Sequence, residues 1–235
     1  MKTEKLKIEN IPAALWGDCM DRLFIGVHGQ KSNKLDFEDF ADAAVGAGFG
    51  LLTFDLPEHG ERADDPTPWK PQYVVPELTR VLEKAKTYTE DISLYTVSAG
   101  TFFSLGAFEN ETFSRAIMLS PVVDMRLLIG NLMLWSGTTE EKLRAEQTVV
   151  TDFGQTLYWD FYCWVNEHPV TKWNTPTAIL SGSNDDIAQP QTVSAFAERF
   201  GCSHTVLQGG SHRFNAPEER AFARGWYAKQ LGKQN

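Results

Sequence analysis

Ile92-Ser93-Leu94-Tyr95-Thr96-Val97-Ser98-Ala99-Gly100, continuing as Thr101 to Phe108 (TFFSLGAF), is the stretch from which the chain is read. Ile92 to Val97 (ISLYTV) predicts a buried strand. Ala99 to Phe108 is rich in small and apolar residues and predicts a helix. Between them, Thr96-Val97-Ser98-Ala99-Gly100 has room only for a sharp strand-to-helix turn. Such a turn lifts one side chain, here Ser98, above the edge of a sheet. Small residues beside the serine suit its strained backbone and the close approach of neighbouring chain. The helix N-terminus beneath it favours developing negative charge. Thr96 stands where glycine is usual in this pattern. An isolated Ser-x-Gly would read as a buried or helix-capping serine, so the partners decide.

Outward from this turn the chain alternates strands and helices. Arg22 to Val27 (RLFIGV) predicts a buried strand ending at His28-Gly29. Phe37, Phe40, Ala41, Ala44 and Val45 have helical spacing, with Asp36 as the expected N-cap and Gly46 and Gly48 as stops. Phe49 to Asp55 predicts the next strand, so the three elements form a right-handed βαβ unit. A polar, proline-rich loop follows, then a helix over Val74 to Tyr88. Beyond the serine turn come strands at 115–119, 177–181 and 204–207 and helices at 192–200 and 216–231. Residues before Asp21 are expected to add edge strands. This alternation predicts one α/β domain over 1–235, with a mostly parallel sheet flanked by helices. From about Val122 to Asn174 the rhythm breaks: the segment has helical character and no convincing strand. It is rich in aromatics and predicts a helical lid (cap) inserted at 122–174, with Trp135, Tyr158, Trp159 and Tyr162 as pocket candidates.

Three further signals surround Ser98. Val27-His28-Gly29-Gln30 ends a core strand, and a tight turn there could aim the Gln30 amide at the point the Ala99 amide faces, making an oxyanion hole. His28 reads as structural, close enough to border a pocket. Gly209-Gly210-Ser211-His212 follows the last strand and presents a histidine where a base is needed. The acid is expected after the preceding strand, in Gly182-Ser183-Asn184-Asp185-Asp186. Asp185 is the first choice, with Asp186 beside it and Asp124 after an earlier strand as alternatives. The chain order is nucleophile, acid, base. His204 falls inside the last strand, His168 precedes a proline, and His59 lies in a loop near the site with no evident acid partner.

Composition limits the remaining possibilities. Hydrophobic residues make up 42% of the 235, enough for a real core. The net charge of −9 and the lack of any basic run argue against nucleic acid as a partner. The three cysteines, Cys19, Cys163 and Cys202, have no disulfide or metal spacing and read as reduced, mostly buried thiols. No HExxH or clustered Cys and His appears, so neither a metal nor another cofactor is expected. The N-terminus has no apolar signal region and no segment suits a membrane span, so a cytoplasmic protein is expected. A homo-oligomer remains open, with nothing to indicate one.

The motifs VHGQ, FDLPEHGER, TVSAG, LSGSNDD and GGSHRF together resemble those of the α/β-hydrolase superfamily across essentially the whole chain. The nearest resemblance is to small bacterial members of its serine-aminopeptidase-like and lysophospholipase-like group. The segments SPVVDMRLLIGNLM, TDFGQTLYWDFYCWV and NEHPVTKWNTPT are similar to a bacterial branch of it. The resemblance implies the α/β-hydrolase fold and a triad of Ser98, Asp185 and His212. Glu58 departs from the pattern, standing where the DxPGHG loop often has glycine. With an aromatic lid, such a triad implies hydrolysis of a carboxylic ester with a small or medium apolar acyl or aryl group. Thioesterase and amidase or aminopeptidase chemistry are alternatives on the same residues, and a non-catalytic ligand-binding protein is the rival outside enzymes.

Overall fold

The computed structural model describes residues 2–232. In chain order, strands β1 (Thr3–Ile8) and β2 (Ile11–Trp16) form the N-terminal hairpin expected before Asp21. β3 (Leu23–Val27), helix α1 (Glu38–Gly46) and β4 (Gly50–Phe54) make the first parallel unit. Helix α2 (Pro71–Lys86), strand β5 (Ile92–Val97), helix α3 (Ala99–Ala107) and strand β6 (Ala116–Leu119) follow. After a long excursion come β9 (Thr177–Gly182), α7 (Pro190–Phe200), β10 (Ser203–Leu207) and α8 (Pro217–Leu231). The excursion holds α4 (Met125–Trp135), α5 (Glu140–Glu146), the short strands β7 (Thr148–Val150) and β8 (Thr156–Tyr158), and α6 (Trp159–Glu167).

Eight strands form one sheet in the order β1-β2-β4-β3-β5-β6-β9-β10. Every pairing from β4 to β10 is parallel, and only β2, antiparallel to both β1 and β4, runs against the rest. Alternate side chains of the central strands divide the core into two layers. Leu23, Ile25, Leu52, Leu94 and Met118 face one side, under α2 and α3. Phe24, Leu51, Tyr95, Ile117 and Leu180 face the other, under α1 and α8. This two-sided burial is why β3 reads as a continuous apolar run and β4 and β5 as mostly apolar ones.

Three expectations need correction. Asp36 does not cap α1. Phe37 holds that position without a side-chain cap, and the Asp36 carboxylate instead accepts from Ser32 Oγ and the Asn33 amide, which tightens the preceding turn. The segment 122–174 is not strandless, because β7 and β8 pair antiparallel around Gly154, whose φ of +77° suits a turn. The cysteines are unpaired, and all three are half-buried rather than buried.

Candidate active site

Ser98 sits between β5 and α3 with φ +51° and ψ −127°, a backbone region that side chains other than glycine rarely occupy. Its neighbours explain the glycines around it. A Cβ on Gly29 would lie 2.8 Å from Ser98 Cβ, and one on Gly100 would collide with the Val27 and His28 carbonyls. The end of β3 therefore presses directly on the serine turn. On the other side, a Cβ on Gly182 would collide with Gly210, so the loops after β9 and β10 cross in backbone contact. That crossing brings Asp185 and His212 together.

Ser98 Oγ and His212 Nε2 are 2.8 Å apart. His212 Nδ1 lies 2.8 Å and 2.9 Å from the two carboxylate oxygens of Asp185. A proton on Nδ1 satisfies that carboxylate and leaves Nε2 free to accept from the serine hydroxyl. The Asp185 side chain is wholly buried, and its Oδ1 also accepts from the Ile187 and Ala188 amides. Asp186 lies on the cleft wall instead, and Asp124 caps α4 by accepting from the Leu127 amide. Of the three acid candidates, only Asp185 contacts His212 among the described residues. Chemically the arrangement can pass the Ser98 proton to an imidazole whose second nitrogen is held by a carboxylate.

Gln30 and Ala99 both border the cleft beside Ser98, and neither amide donates to another group among the described residues. The turn carrying Gln30 is held by two histidines. His28 Nδ1 donates to the Gly29 carbonyl at 2.7 Å while Nε2 accepts from the Leu56 amide. Burial pushes the pKa of His28 down to about 4, which keeps this ring neutral. His59 donates from Nδ1 to the Pro57 carbonyl and accepts at Nε2 from the Lys31 amide at 3.0 Å. Neither histidine lines the cleft, so His28, a pocket candidate on the sequence, does not border it. Below them, the buried Lys34 ammonium bonds to Asp55 and Glu61, and the Arg62 guanidinium forks onto Glu77.

The cleft above Ser98 encloses about 1570 Å³. Met125, Leu128, Ile129, Leu132 and Trp135 line it from one face of α4, at a spacing that helical periodicity dictates. Of the aromatic candidates, Trp135 and Tyr158 border the cleft. Trp159 and Tyr162 do not: they pack on each other, and the Tyr162 hydroxyl donates to Glu140. The inward aromatic of α6 is Phe161, which packs near Trp69, Phe102 and Phe103. Sequence reasoning missed Phe161 and Trp69. Aromatics on every side of α6 hide its inward phase, and Trp69 lies in an irregular loop without periodicity. Polar residues also line the cleft, among them Asp36, Arg213, Asn215 and Arg220.

Among the described residues no group of His, Cys, Asp and Glu is placed to hold a metal ion, and no helix is long and apolar enough to cross a membrane.

No protein-family model matches the chain, and no curated protein sequence matches it. Solved structures do. Est1E from Butyrivibrio proteoclasticus, in a structure with ferulic acid bound, is similar at a TM-score of 0.77 and 16% identity over 97% of both chains. The monoacylglycerol lipase of Paleococcus ferrophilus is similar at 0.72 and 16% identity, over 94% of this chain and 98% of that one. Alpha/beta hydrolase domain-containing protein 10 from mouse is similar at 0.73 and 14% identity over the whole of both chains.

Proposed function

With the α/β-hydrolase fold as premise, we propose that the protein is a serine hydrolase that cleaves carboxylic esters of small or medium apolar acyl or aryl groups. The single observation that carries this reading is the chain of contacts from Ser98 through His212 to buried Asp185. Neutral His212 takes the hydroxyl proton as Ser98 Oγ attacks the acyl carbonyl. The Ala99 and Gln30 amides stabilise the oxyanion. His212 then protonates the departing alcohol, and water, activated by the same imidazole, releases the acid from the acyl-enzyme. The apolar wall of α4 and Phe161 favours an acyl or aryl chain, with segment 122–174 acting as the lid. The monoacylglycerol lipase among the similar structures is consistent with this choice, and we assign the substrate as a soluble small molecule in a cytoplasmic setting, with no nucleic-acid partner.

A fluorophosphonate probe tests the mechanism. We expect covalent labelling of wild type and none of Ser98→Ala, His212→Ala cutting the labelling rate by about 10³-fold or more. A folded wild-type protein that resists labelling at every pH would reject the nucleophile and favour a ligand-binding role. A panel of matched esters, thioesters and aminoacyl amides then ranks the leaving group, and esters are expected to give the highest kcat/KM.

A further inference from the structure

We propose that Glu219 is a positioning residue for His212, clamping both ends of the loop that carries it; this rests on His212 acting as the base. Glu219 is the third residue of α8 and is 8% exposed. Its Oε2 accepts from the Ala216 amide at 2.9 Å, which closes the start of the helix. Its Oε1 reaches past that start and accepts from the Ser211 amide at 2.6 Å. Ser211 directly precedes His212, so one carboxylate holds the amides at both ends of the stretch 211–216. These amides hold the Glu219 carboxyl below the usual carboxylate range. The loop needs such a hold. It contains Phe214 at φ +50°, buried in the core layer under α1 and α8, and it follows two glycines. Without a clamp, the strain at Phe214 and the freedom at Gly209 and Gly210 favour other loop conformers, in which the imidazole leaves Ser98. A helix cap alone requires only the Ala216 contact. The Ser211 contact lies outside the helix and holds the residue directly before the base.

Glu219→Gln is the informative change, because an amide group keeps the volume but replaces one acceptor oxygen with a donor that opposes a backbone N–H. We expect kcat to fall by about tenfold or more with KM nearly unchanged, at temperatures well below unfolding. We also expect a sharp downfield proton resonance for His212 Nδ1 in wild type that broadens in the variant, and a shifted pH profile of kcat/KM as the Asp185 contact loosens. A merely structural glutamate would lower the melting temperature and leave kcat, the resonance and the pH profile unmoved, which would overturn the proposal. Should the variant fail to fold, hydrogen exchange of the wild-type Ser211 amide decides: strong protection supports the clamp, and free exchange overturns it. If wild type resists the fluorophosphonate while Ser211 stays protected and the resonance stays sharp, the hydrolase reading fails and the clamp on the loop stands.

Discussion

Ser98 carries a cost that its position explains. At φ +51° and ψ −127° it occupies a backbone region that costs a residue with a Cβ roughly 1–3 kcal/mol. Glycine would relieve that strain, at an entropic cost of roughly 0.5–1 kcal/mol in the unfolded chain. Ser98→Gly should therefore be more stable than Ser98→Ala by about 1 kcal/mol in urea denaturation, with both inactive. Equal stabilities would mean that the turn stores no strain. Gly29 tests the same contact from the other side. A Cβ there would sit 2.8 Å from Ser98 Cβ and 3.2 Å from the Val97 carbonyl. We expect Gly29→Ala to cut the fluorophosphonate labelling rate by about 10²-fold, because either the serine or the Gln30 turn must move. These residues were legible in the sequence because their chemistry and their packing coincide: a serine, a histidine and an aspartate, each beside glycines that only a close chain crossing requires. Glu219 was not legible. Its N-cap is Ala216, so the usual serine or threonine of a capping box was missing, and only Pro217 at the helix start hinted at the cap.

Elements differ in how much the sequence disclosed, for a physical reason. β3, β4 and β5 are buried on both faces, so β3 is an uninterrupted apolar run, and β4 and β5 are broken only by small buried hydroxyl residues, Thr53, Ser93 and Thr96. The segment 122–174 depends on its neighbours throughout. α6 has aromatics at 159, 161, 162 and 164, so periodicity could not select Phe161 as the inward one. β7 and β8 are three residues each, too short to alternate visibly, and form only because they pair. α4 is clearer: Met125, Leu128, Ile129 and Leu132 share one face, and all four border the cleft. Leu128 is 9% exposed on that face. Leu128→Trp should fill cleft volume without creating a cavity, so stability should change by less than about 1–3 kcal/mol. Across a series of esters of one alcohol, the acyl length giving maximal kcat/KM should shorten, with acetate affected least. An unchanged length profile would place the acyl group elsewhere in the cleft, beside Asp36 and Arg213.

At the scale of the whole molecule, stability is linked to pH through groups the chemistry does not use. His28 joins the loop after β3 to the loop after β4, accepting from Leu56 and donating to Gly29, and does so only as a neutral ring. Burial lowers its pKa from 6.5 to about 4 in the folded state. The unfolded chain therefore takes up this proton first as pH falls, and folding loses free energy between pH 6.5 and pH 4. His204, whose pKa is also lowered by burial, adds to the loss in the same direction. By pH 5 the contribution of His28 alone amounts to about 2 kcal/mol relative to pH 7.5. Carboxylates with unfolded pKa values near 4 remain mostly ionised at that pH, so the histidines dominate the window. Urea denaturation of wild type at pH 7.5, 6 and 5 should show this decline. His28→Gln can retain one neutral acceptor but cannot titrate, so its stability should start lower at pH 7.5 and decline less steeply. Parallel pH curves for the two proteins would show that His28 is protonated in the folded state, and that the bond from the Leu56 amide does not hold the turn behind Gln30.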